Sequence, residues 1–158
     1  MSISWTPKRY DQPQPPLRGA AAVGMLAELP ALERCAITAL RLWCDGLEGR
    51  EAVARDFSRA YDTPRAALEL NGFADLIAMM LAAPRRAIMR HGLSCACFGG
   101  DEAAFAHMIA AATVGDRDDA MAFALILMQP GAAWQTVQQA QDVGLGLLGL
   151  CRRPPTLN

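Results

Sequence analysis

An all-α single domain is what this sequence predicts: a bundle or array of about six to seven helices behind an extended, proline-rich N-terminal arm. Three observations carry that expectation. Apolar residues recur at three- and four-residue spacing through most of the 158 positions. Helix start signals break the pattern at short intervals, notably Thr63-Pro64 and Gly115-Asp116. No run sustains the alternation of a strand, and many helices with short connections make a bundle. The one exception is residues 87–98, where a short extended piece fits.

In chain order, residues 1–16 carry four prolines and read as the arm. Residues 17–153 form the domain, and 154–158 a tail. Residues 17–29 read as a first helix, weakened by Gly19 and Gly24. Pro30 suits the first turn of the next, where a missing N–H costs nothing. There Leu32, Cys35, Ala36, Ala39, Leu40 and Trp43 are expected inward, and Arg34, Thr38, Arg41 and Asp45 outward. After Asp45-Gly46 a helix to Tyr61 presents Val53, Phe57, Ala60 and Tyr61. The next, from Pro64 to about Ala83, buries Leu68, Phe73, Leu76, Ile77, Met80 and Leu81, with Gly72 a possible kink. Pro84 stops it.

Asp101 is the expected cap of a helix to about Thr113, with Phe105, Met108, Ile109 and Ala112 inward. The helix from Arg117 to Met128 is apolar nearly all round, and so is the second half of the last one, from Pro130 to about Cys151. Between Asp119 and Arg152 the only charge is Asp142. So much uncharged surface points to a two-fold interface built from Phe123, Ile126, Leu127, Trp134, Leu145 and Leu148. The competing account is that these two helices are the core pair. Ala140, Gly144 and Gly149 suit a close helix–helix seam.

Bulk properties exclude more than they assign. The net charge is −1, and the basic residues are 14 arginines and one lysine, so nothing attracts nucleic acid or an acidic membrane globally. No membrane span is expected, because the apolar core of the longest uncharged run is about half the ~20 residues a span needs. The N-terminus has no hydrophobic region of a secretory signal. A cytoplasmic location is the resulting expectation, with the five cysteines reduced.

Chemistry concentrates in residues 85–102, RRAIMRHGLSCACFGGDE. On an extended backbone Cys95 and Cys97 point to one side, and His91 lies four positions before. Soft sulfur with imidazole suits zinc, a carboxylate or water completing the set. The same thiols, beside arginines and a helix start, also suit redox chemistry. Packing as small core residues is the plainer account. His107, on the far side of its helix from Phe105, is expected to face solvent or another subunit. Arg85, Arg86 and Arg90 are candidate contacts for a partner or anion, or else face the acids Asp101, Glu102, Asp116, Asp118 and Asp119.

One pattern is set aside and another is weakened. Gly144-x-Gly146-x-x-Gly149 matches a dinucleotide fingerprint, but it follows VQQAQ rather than a strand and has no acid about 20 residues on. A helix-turn-helix over residues 51–81 has its arginines cancelled by Glu48, Glu51, Asp56 and Asp62. The leading expectation is a non-enzymatic protein without a cofactor, a homodimer acting through contacts with an unidentified protein partner. The alternatives are a zinc-binding or thiol-based protein using His91, Cys95 and Cys97, and a DNA-binding regulator.

Overall fold

The structure is a computed structural model that describes residues 18–152; the expected arm and tail lie outside the described residues. The fold is all-α. Among the described residues there are six α-helices: α1 (Ala31–Cys44), α2 (Leu47–Ala60), α3 (Thr63–Ala82), α4 (Gly100–Thr113), α5 (Arg117–Leu127) and α6 (Pro130–Cys151). Two short strands, β1 (Ala22–Met25) and β2 (Cys97–Gly99), pair antiparallel.

Local chemistry accounts for the helix starts. The Asp62 carboxylate, rather than Thr63, caps α3 by accepting from the Arg65 N–H at 3.0 Å, with Pro64 in the first turn. Asp116 caps α5 as expected, accepting from Asp119 N–H. Gly99, not Asp101, is the cap position of α4. Asp101 and Glu102 fall in its first turn, where the helix dipole favours acids. Gly72 does not divide α3.

The helix expected over residues 17–29 does not form. That segment is a 3-10 turn (Arg18–Ala20), then β1, then a second 3-10 turn (Leu26–Glu28). The reason is tertiary. Ala22 pairs with Gly99, Gly24 with Phe98 and Met25 with Cys97, with an irregularity between Ala22 and Gly24. The glycines that weakened a helix permit this approach: a Cβ at Gly19 would land on the Asp101 carboxylate, and one at Gly24 on the Phe98 ring. The extended piece expected within residues 87–98 is present as the start of β2.

α6 is the centre of the molecule and packs against each of the other five helices. Ala133, Val137, Ala140, Val143 and Leu147 are buried along it. Its all-round apolar character is therefore explained by burial on several sides. The small-residue seam is real. A Cβ on Gly144 would strike Thr113 of α4, and one on Gly149 would strike the Tyr61 ring. Tyr61 also donates to the Gly146 carbonyl at 2.7 Å. Trp43 meets Phe73 edge-on at 5.6 Å, joining α1 to α3.

Three expectations about facing are corrected. Leu68 and Leu81 of α3, expected inward, are 65% and 59% exposed. Their apolar spacing made a stripe wider than the neighbours cover. Arg41, expected outward, is 1% exposed. It is buried because it has an ion-pair partner 61 residues away on α4.

Candidate metal centre

Between α3 and β2 the chain crosses the molecule as an irregular segment, residues 83–96, held largely by side chains of helices. Arg41 of α1 is the main holder. Its Nε donates to Glu102 Oε1 at 2.6 Å and its Nη2 to Oε2 at 3.0 Å. Nη1 donates to the carbonyls of Gly92 (3.2 Å) and Cys95 (2.7 Å), and Nη2 also to that of Cys97 (2.7 Å). A guanidinium has five N–H donors, and these five bonds use all of them.

Glu102 is filled in the same way. Oε1 accepts from Arg41 and the His91 N–H, and Oε2 from Arg41 and the Gly99 N–H. Burial alone would raise the pKa of this carboxyl. The Arg41 guanidinium and the two backbone N–H groups outweigh it and hold it below the ordinary value. Next to it, buried Asp101 takes a two-pronged bond from Arg86, 2.7 Å on each oxygen, and accepts from the Met89 N–H. Both acids of the motif therefore fix the loop, and neither is free to ligate a metal.

The loop so held brings His91, Cys95 and Cys97 together. Their ligand atoms lie within 4.8 Å of one another, all on half-buried residues. The imidazole Nδ1 is 3.2 Å from Cys97 Sγ and 3.5 Å from Cys95 Sγ, and the two sulfurs are 2.7 Å apart. Nε2 lies 2.7 Å from the Ala20 carbonyl oxygen. A carbonyl only accepts, so Nε2 carries the proton, and in the neutral ring the Nδ1 lone pair faces the thiols.

Protons are unevenly shared in this cluster. The Cys97 thiol hydrogen-bonds to Cys95 and, with the Cys97 backbone and His91, pushes the Cys95 thiol down to about 7. Cys97 is correspondingly raised, chiefly by that same bond. His91 is raised, first by the Ala20 carbonyl it donates to, with burial opposing.

Does the arrangement fit a metal? Zinc with bonds of ~2.3 Å to sulfur and ~2.0 Å to nitrogen in a tetrahedron requires N···S edges of about 3.5 Å and an S···S edge of about 3.8 Å. The N···S distances already match. The sulfurs must part by about 1 Å, which calls for rotation of a cysteine side chain rather than movement of the carbonyls that Arg41 holds. The Nε2–H···O=C bond to Ala20 is the outer-shell contact that orients a ligating histidine.

The other expected site residues are placed elsewhere. Arg85 donates to the Leu125 carbonyl at 2.7 Å and Arg90 to the Cys44 carbonyl at 2.9 Å, each at a helix C-terminal end; Arg86 holds Asp101. All three are exposed at the surface, each with a partner in the fold. His107 is half-buried against Phe123, with ring centroids 5.3 Å apart, and does not face open solvent. Of the six expected interface residues, Ile126, Trp134 and Leu145 are exposed, Phe123 and Leu148 half-buried, and Leu127 is buried in the core. Among the described residues no helix is long and apolar enough to cross a membrane. Sequence reasoning missed Arg41 and Ala20. The only available signal for Arg41 was an arginine in the middle of an otherwise apolar helix segment.

Comparison of the chain with protein-family models, with curated proteins and with solved structures finds no match.

Proposed function

We propose that this protein binds a thiophilic metal ion, zinc being the reference case, through His91 Nδ1, Cys95 Sγ and Cys97 Sγ. The observation that carries this reading is the convergence of those three atoms while His91 Nε2–H is already bound to a carbonyl. Two thiolates and a neutral imidazole balance a divalent charge. Three protein ligands leave a fourth position for water or an incoming ligand, which is the ligand count of an exchangeable or reactive site rather than a closed structural one. The buried Arg41–Glu102 pair supports the reading, because it fixes the carbonyls of both cysteines before any metal arrives.

Elemental analysis after equilibration with zinc and desalting tests it. About one zinc per chain is expected, lost in the Cys95→Ser/Cys97→Ser protein and in His91→Gln, with both variants still helical by circular dichroism. Less than about a tenth of an equivalent in the wild type, or full retention in either variant, sinks the proposal. If the wild type instead never binds metal and mild oxidant joins Cys95 to Cys97 within their shared tryptic peptide, the close sulfurs act as a redox pair, which is the thiol-based alternative.

A second reading, self-association through α5 and α6, is supported by Ile126, Trp134 and Leu145, each about half exposed on those helices. Against it, Arg117 already lies over the Trp134 ring at 5.8 Å. Light scattering at micromolar concentration decides: twice the chain mass supports it, and a monomer removes it.

A further inference from the structure

The chain has five cysteines, and two outside the metal centre also meet. Cys35 is the fifth residue of α1, in its second turn, and Cys151 is the last residue of α6. Both line one cavity of about 310 Å³ between α1, α2 and the end of α6, together with Arg34, Thr38 and Asp56. The Cys151 thiol donates to the Ala31 carbonyl at 3.5 Å, and Ala31 is one helical turn before Cys35 on the same side of α1. Both cysteines are half-buried, so small reagents reach them through the cavity.

We propose that Cys35 and Cys151 are a second dithiol, separate from the metal centre, which closes to a disulfide between α1 and α6 by exchange with a low-molecular-weight disulfide such as glutathione disulfide. The Cys151 thiolate attacks one sulfur of the reagent, forming a mixed disulfide and releasing one thiolate. Cys35 then gives up its proton and its sulfur attacks Cys151, expelling the second thiolate. The protein loses two hydrogens and the reagent is reduced to two thiols.

The surroundings favour this order of attack. Interaction with the Cys151 thiol, and then burial, raises Cys35 well above an ordinary thiol. Interaction with Cys35 in turn lowers Cys151, against its burial, and the Arg34 guanidinium helps. The more ionised sulfur is therefore in the last turn of α6, and the protonated one stands behind it as the resolving group.

The test uses the full-length Cys95→Ser/Cys97→Ser chain, which removes the other close pair, incubated with glutathione disulfide at mildly alkaline pH. A non-reducing tryptic map is expected to join the peptide beginning at Cys35 to the one ending at Arg152. Two alkylatable thiols should disappear. The melting temperature should rise by about 10 °C, since the bond closes a loop of over 100 residues, and return with dithiothreitol. Cys35→Ser should stop at a glutathione adduct on Cys151 with no such rise. The wild-type chain provides a second measurement, because Cys95 and Cys97 fall in a different tryptic peptide. The proposal is overturned if both thiols stay alkylatable, if each carries glutathione without joining, or if either joins Cys44 or another chain. None of these outcomes depends on whether the metal centre binds zinc.

Discussion

Replacing Arg41 with methionine perturbs both stability and site, and the size of the effect follows from its partners. The side chain is 1% exposed and its Glu102 partner 0%. Methionine keeps most of the volume, so the cavity contribution is small. What remains is a carboxylate buried without a counter-charge, plus three loop carbonyls without donors. Removing one member of a buried ion pair costs about 3–5 kcal/mol. The carbonyls belong to a segment water can reach, so they add little. A loss of that size in a chain of this length lowers the melting temperature by about 10 °C. Urea denaturation followed by far-ultraviolet dichroism measures it. Arg41→Lys should recover part of the loss, since it restores the charge without the fork. Arg41→Met with Glu102→Leu should recover more, because no charge is then stranded. Acid supplies an internal control. The Glu102 carboxyl is depressed in the folded protein, so its contribution is complete above the unfolded carboxylate value of about 4.3 and fades as pH falls through the lower folded value. Without Arg41, burial raises the stranded carboxyl, so the gap between wild type and Arg41→Met should begin to narrow above about pH 4.3 and go on narrowing as pH falls. Were Arg41→Met within about 1 kcal/mol of wild type at pH 7, the account of this pair would be wrong.

Other consequences are open to equally direct measurement. Zinc affinity should fall steeply as pH drops below about 7, because protons compete for His91 Nδ1 and both sulfurs, and the raised His91 starts that competition above the ordinary imidazole value. A flat competition profile between pH 5 and pH 8 contradicts it. Gly146→Ala should destabilise by about 1–3 kcal/mol in urea, because the new Cβ would sit on the buried Glu69 carboxylate; a neutral result means the α3–α6 contact is looser than described. Asp101→Asn should speed amide exchange at Met89 and through the loop that follows, since it weakens the Arg86 fork and the bond to Met89 N–H; unchanged protection would show that the loop is held by other contacts.

What could be read from the sequence divides along the range of the interactions involved. The helices were legible because caps and apolar spacing act within a few residues, as at Asp116 and Pro64. The Cys95–Cys97 convergence was legible for the same reason: alternation on an extended backbone is a two-residue rule. Residues 22–25 were not legible, since their strand character comes from pairing with a segment some 75 positions on. Nor was Arg41, whose burial is decided by Glu102 on another helix. The donor target of His91 was beyond reach altogether: Ala20 contributes a carbonyl, and no side chain announces it. Asp101 and Glu102 were visible as a pair, but their roles were not. Adjacent in sequence, they grip different arginines, and together they fix the loop.

The position of α6 along the chain has a consequence for how the protein comes into being. The five helices that pack against it are all synthesised before it. Until residues 130–151 are made, the faces that pack on α6 lack their partner, although α4 packs directly on α1 and α5, and α2 on α1 and α3. Without α6 the other five helices would keep those pairwise contacts but expose the apolar surface that Ala133, Val137, Ala140, Val143 and Leu147 now cover, which favours aggregation. The Arg41–Glu102 grip on the cysteine loop joins α1 to α4, which pack on each other as well as on α6.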